Sequence, residues 1–201
     1  MEALTWTEYN PAPDPSYLLI ALHGMGTHGG DLEPLAEALD LPGVRYIFPT
    51  APFFMATWAY QWYDLSKPDL DIPESAERLV HLIQHLQSLY GPLPFILLGF
   101  SQGAVMALEV GLTFLPRPLA LVALSGYLNR LPDLPPPPHP PLFVGHGVQD
   151  GIVSVRFGRN LQQVLQEAGL VLDYQEFPVG HTISLEMVQA VRQFLLPILA
   201  R

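Results

Sequence analysis

The chain has 201 residues, of which 49% are hydrophobic and only 14% charged, and its formal net charge is −10. That apolar content can fill a large core and excludes a disordered chain. Nineteen acids against nine bases leave no basic footprint for nucleic acid. The absence of cysteine excludes disulfides, a thiol nucleophile and thiolate metal sites.

The length suits one α/β domain spanning 1–201. The opening stretch MEALTWTEYNPAPDPSY carries no basic residue and no apolar run of signal-peptide type. The longest apolar runs fall short of a membrane span. A cytoplasmic protein without integral membrane association is expected.

In chain order, Tyr17–Leu22 (YLLIAL) and Val44–Phe48 (VRYIF) are short apolar runs without polar alternation. So are Phe95–Phe100 (FILLGF), Leu119–Leu124 (LALVAL) and Leu142–Gly145 (LFVG), with Leu170–Phe177 (LVLDYQEF) nearer an edge. Runs of this kind suit strands buried on both faces of a parallel sheet. Between them, Glu74–Tyr90, Phe157–Ala168 and Leu185–Leu199 place leucines and valines at helical spacing, while Gln102–Thr113 is apolar nearly all round. The alternation predicts a single-domain α/β fold. Its central sheet would be mostly parallel, with about six to seven strands and helices on both faces. The proline-rich stretch Pro132–Pro141 reads as a rigid surface connection.

In such sheets, chemistry collects at the carboxyl ends of the strands. Gly99-Phe100-Ser101-Gln102-Gly103 follows a buried strand and opens an apolar helix, the placement that a nucleophile elbow requires. A serine hydroxyl needs a base, and His181 lies in a loop between the last strand and the last helix, free to arch over the strand ends. Among the acids between Ser101 and His181, only Asp150 follows a buried strand through a glycine-bracketed turn. The order Ser101, Asp150, His181 is the one expected of an α/β-hydrolase triad. The glycine-rich loop after the first buried strand, Leu22–Asp31, offers the Met25 N–H to an oxyanion, beside the Gln102 N–H. His23 in that loop reads as structural. His81 and His85 sit one helical turn apart, but no third ligand is in view, so they read as a solvated face and no metal is expected. A histidine base predicts loss of rate below about pH 6, since imidazole ordinarily titrates near 6.5.

These residues resemble the carboxylesterase/phospholipase branch of the α/β-hydrolases, which includes acyl-protein thioesterases and small bacterial esterases. Leu22–Gly26 is similar to its LHGxG loop, Gly99–Ala104 to GFSQGA, and Ala123–Leu128 to ALSG(Y/W)L. His146–Val153 is similar to HGxxDxxV, Gly180-His181 to the catalytic GH, and Trp62–Asp64 to WFD. The resemblance implies a serine esterase with no cofactor, no metal and no large cap domain. It carries the same triad, Ser101, Asp150 and His181. Thr27–Gly30 departs from a more acidic stretch in the family pattern, which bears on the substrate.

The segment Pro52–Leu65 is unusually aromatic. Phe53, Phe54, Trp58, Trp62 and Tyr63 are expected to line an apolar acyl or aryl pocket, with covering of the sheet edge or a homodimer as the alternatives. No basic cluster marks an anionic substrate, so the expected partner is a small neutral ester. A peptidase or perhydrolase on the same fold, or a non-catalytic ligand-binding member, are the rival readings.

Overall fold

The computed structural model describes residues 3–128 and 130–200. Seven strands form the central sheet: β1 (Trp6–Tyr9), β2 (Tyr17–Leu22), β3 (Val44–Pro49), β6 (Phe95–Phe100), β7 (Ala120–Leu124), β8 (Leu142–Gly147) and β9 (Leu172–Phe177). Their spatial order is β1-β3-β2-β6-β7-β8-β9, and every pairing is parallel except β1 with β3. A short hairpin, β4 (Phe53–Ala56) with β5 (Ala59–Gln61), stands apart from the sheet. The helices are α1 (Glu33–Leu39), α2 (Pro68–Tyr90), α3 (Gln102–Thr113), α4 (Val155–Glu167) and α5 (Leu185–Leu199).

Successive strand residues point to opposite faces, which divides the core in two. Leu18, Ile20, Leu22, Leu97 and Val144 face α2, α3 and α4, burying Leu79, Leu82, Leu86 and Leu161 among others. Leu19, Ala21, Leu98, Val122 and Phe143 face α1 and α5, against Leu35, Leu39, Val191 and Leu195. The inner strands β2, β6 and β7 are therefore without charged residues at any position, as their uninterrupted apolar runs predict.

Besides the β4–β5 hairpin, three elements differ from the sequence reading. The edge strand β1 is short, antiparallel and mostly exposed, so it carries no apolar run. Helix α2 begins at Pro68 rather than Glu74. Pro68 occupies the start of the helix, where a missing N–H costs nothing, and Asp69 and Asp71 complement the dipole. Helix α1, preceded by a 3-10 turn over Gly29–Leu32, went unread although Leu32, Leu35, Ala36 and Leu39 have helical spacing and Pro34 sits at its start. No helix among the described residues is long and apolar enough to cross a membrane.

Candidate active site

Strand β6 delivers Ser101 at the top of the sheet, and α3 starts at the next residue. Ser101 has φ 56° and ψ −120°, a backbone region that L-residues avoid. The turn is possible because strand, helix and neighbouring strand approach without side chains between them. A Cβ on Gly103 would overlap the Leu22 carbonyl oxygen. The Ser101 N–H donates to the Leu124 carbonyl at 2.9 Å, anchoring the strained residue to β7.

Asp150 and His181 come from two loops that are stitched together. Past β8 and β9, Val148 N–H donates to the Phe177 carbonyl at 2.8 Å and Gln149 N–H to the Val179 carbonyl at 3.0 Å. A Cβ on Gly147 would collide with the Gly180 carbonyl, so the glycine lets the loops meet. Asp150 then stands beside His181, 2.7 Å from Oδ2 to Nδ1, and His181 Nε2 lies 3.0 Å from Ser101 Oγ. Phe100 packs on the imidazole with ring centroids 4.8 Å apart. The Asp150 side chain is fully buried. Burial pushes its carboxyl pKa up, but the hydrogen bonds from His181 and from the Val153 and Ile152 N–H groups outweigh burial and hold it below the ordinary value. Behind it, buried His146 lies 2.8 Å from the Val153 carbonyl through Nε2.

The loop before α1 is braced from below. Buried His23 accepts from the Ala51 N–H at Nε2 (2.9 Å), which leaves Nδ1 to donate to the Gly24 carbonyl at 2.7 Å. Its ring is therefore neutral with a fixed tautomer, and burial lowers its pKa to about 4. The structural role expected of His23 is the one its bonds describe. Its unfolded-state pKa is near 6.5, so between pH 6.5 and 4 the unfolded chain binds more protons. Stability present above pH 6.5 is therefore lost as pH falls toward 4, by about 3 kcal/mol in full. Melts at pH 7 and pH 4 should differ by roughly 10 °C on this account. A His23 ring signal titrating near 6.5 by NMR would refute it.

Two residues of the aromatic segment correct the sequence reading. Trp62 and Tyr63 are completely buried and cannot line an open pocket. Their polar atoms find partners inside: the Trp62 indole N–H donates to the His23 carbonyl at 2.9 Å, and the Tyr63 hydroxyl pairs with that of Tyr127 at 2.8 Å. The Gln102 side chain clamps the same segment, accepting from the Trp62 N–H and donating to the Tyr63 carbonyl. These rings brace the elbow from beneath.

The cavity over Ser101 and His181 holds about 410 Å³, and Met25, Thr27, Leu32, Phe100, Thr182 and Ile183 contribute to its wall. Phe53, Phe54 and Trp58 are not among its lining residues either. They belong to the β4–β5 hairpin or its turn, where Phe54 and Trp58 are 65% and 73% exposed. The hairpin is instead tied to the loop behind the cavity, the Gly26 N–H donating to the Tyr60 carbonyl at 2.8 Å. The wall residues that sequence reasoning missed, Leu32 and Ile183, lie on unread α1's lead-in and just past His181. The helical spacing around Leu32 was the available signal. Among the described residues, no group of three or more His, Cys, Asp or Glu is placed to hold a metal ion.

A family model described as Phospholipase/Carboxylesterase matches residues 9–198. The chain belongs to the phospholipase/carboxylesterase family. Two relatives agree with that membership. An acyl-protein thioesterase 1 from Neurospora crassa is 29% identical, covering 88% of this chain and 84% of its own. Another from Emericella nidulans is 30% identical, covering 76% of this chain and 77% of its own. Among solved structures, an esterase designated PE8 is 26% identical with a TM-score of 0.84, covering 98% of this chain and 100% of its own. A Bacillus cereus carboxylesterase, 17% identical with a TM-score of 0.84, shares the fold. The family membership and these neighbours agree with the α/β-hydrolase fold that the sequence predicts.

Proposed function

We propose that this member of the phospholipase/carboxylesterase family is a serine hydrolase that cleaves carboxylic esters or thioesters of small to medium apolar acyl groups. The observation that carries the reading is the unbroken relay Asp150–His181–Ser101 opening into the 410 Å³ cavity. Asp150 holds the His181 Nδ1–H, so Nε2 is left with its lone pair toward Ser101 Oγ. As His181 removes the hydroxyl proton, Ser101 Oγ attacks the ester carbonyl carbon. The carbonyl oxygen takes the negative charge, held by the N–H groups of Met25 and Gln102. The Gln102 N–H belongs to the first turn of α3, whose leading amides have no carbonyl partner within the helix. The Gly26 N–H is already engaged with the Tyr60 carbonyl, which supports Met25 as the loop donor. Each such donor supplies about 3 kcal/mol to the transition state. His181 then gives its proton to the departing alcohol or thiol, and water repeats the sequence on the acyl-enzyme.

A neutral substrate suits the site, because among the described residues Asp31 is the one acid or base besides His181 in the cavity wall. The proposed setting is the cytoplasm. The proposed assembly includes a homodimer through the exposed Phe54 and Trp58, which light scattering of wild type beside Trp58→Ser reads. The test of the activity is a p-nitrophenyl ester series from acetate to palmitate. Turnover with an optimum at short or medium chains is expected. Absence of turnover across the series in a folded chain would overturn the reading.

A further inference from the structure

The cavity over Ser101 does not end at its own wall. A second depression of about 330 Å³ shares Asp31, Leu32 and Ile183 with it and continues between α1 and α5. Its far walls are Leu35 and Ala38 from α1, and Leu185 and Val188 from α5. This volume alone is in the range of small-molecule pockets. The two helices are held to each other by packing of Leu35, Ala36 and Leu39 against Val188, Val191 and Leu195, and by the Arg192 Nε–H, which donates to the Leu39 carbonyl at 2.9 Å. The groove is thus built on fixed elements. Leu185 remains 64% exposed at its rim, an apolar side chain left facing water.

We propose that this groove between α1 and α5 receives the apolar chain of the leaving group, and that the preferred substrates are esters or thioesters of neutral, unbranched alcohols or thiols. The inference rests on the proposed serine hydrolase mechanism and adds a direction to it. In that mechanism the departing atom takes its proton from His181 Nε2, so it sits on the His181 side of Ser101. The residues that immediately follow His181, Thr182 and Ile183, line the Ser101 cavity, and Ile183 is shared with the groove. A chain attached to the departing oxygen or sulfur therefore runs over Ile183 and down between Leu185, Val188, Leu35 and Ala38. Among the described residues Asp31 is the only ionisable one lining the groove, so an anionic head group has no partner there, whereas an alkyl chain loses only water.

The experiment compares three series on the same enzyme: acetate esters of alcohols from methyl to decyl, methyl esters of acids from acetate to decanoate, and p-nitrophenyl acetate as reference. In wild type, kcat/KM should rise along the alcohol series by about fourfold for each methylene that the groove buries. Two variants obstruct the groove far from Ser101. Ala38→Trp fills it from an exposed helix position. Leu185→Asp puts a charge at its rim, in the first turn of α5, where an acid suits the helix dipole. Both should lower kcat/KM for octyl acetate by about tenfold or more while leaving methyl acetate, whose alcohol is too short to enter the groove, within twofold. A flat alcohol series in wild type would overturn the proposal. So would variants that leave octyl acetate unchanged, or that reduce the acid series instead. Lack of turnover of p-nitrophenyl acetate by wild type would overturn the hydrolase reading itself, a separate outcome that takes the groove assignment with it.

Discussion

Replacing Ser101 by Ala is expected to lower kcat by about 10⁶-fold without unfolding the protein. The size of the loss follows from what remains. His181 stays poised by Asp150, and the proposed Met25 and Gln102 donors are untouched, but no protein atom is left to form the acyl bond. Water would have to enter a site shaped for Oγ, and residual catalysis would come from the oxyanion donors and binding alone. The fold should barely respond. Alanine keeps the Cβ, so the strained φ of 56° at this position is neither relieved nor worsened. The lost contact is the 3.0 Å hydrogen bond to His181, worth about 1 kcal/mol net. Tm should therefore stay within about 3 °C of wild type. Stopped-flow or steady-state turnover of p-nitrophenyl butyrate beside a thermal melt checks both halves. Wild-type-like turnover in a purified Ser101→Ala sample would remove Ser101 from the mechanism.

The parts of this fold that were legible in the sequence are those where one physical demand dominates. A strand buried on both faces must be apolar throughout, so β2, β6 and β7 announce themselves. A turn that brings backbone against backbone must lack side chains, so Gly99 and Gly103 mark the Ser101 elbow and Gly147 the Asp150 loop. What was not legible needed partners remote in sequence. Trp62 and Tyr63 sit in an aromatic run that reads as a pocket wall. Only the structure supplies the His23 carbonyl and the Tyr127 hydroxyl that satisfy their polar atoms and permit burial. The same run continues into Phe54 and Trp58, which face outward because a hairpin of three- and four-residue strands presents both sides to water. Strand β1 is paired by its backbone to β3 while most of its side chains are exposed, so composition carried no trace of it. The groove between α1 and α5 was invisible because α1 itself was missed. Its seven residues carry the apolar spacing of Leu35, Ala36 and Leu39 for fewer than two turns, a signal easily passed over as a loop.

Asp150→Asn tests the hydrogen-bond logic of the site more sharply than removal of the side chain does. In the native chain the two carboxylate oxygens have different duties. Oδ1 accepts from the Ile152 N–H at 2.9 Å and the Val153 N–H at 2.8 Å, while Oδ2 faces His181 Nδ1 at 2.7 Å. Asparagine has one acceptor oxygen to offer. Pointing its NH₂ group at two backbone N–H donors would set donor against donor in a buried place, so its carbonyl oxygen must take the Oδ1 position. The NH₂ group then falls where Oδ2 was and donates to His181 Nδ1. That nitrogen must present a lone pair, which moves the ring proton to Nε2 and aims it at Ser101 Oγ. An imidazole in this tautomer cannot accept the serine proton. The expected result is a fall in kcat of about 10⁴-fold with little change in stability, since the packing and both backbone hydrogen bonds survive. Nitrogen-15 NMR of the imidazole should show the proton on Nε2 in the variant and on Nδ1 in wild type. Retention of wild-type turnover, or an unchanged tautomer, would show that Asp150 does not orient His181 during catalysis.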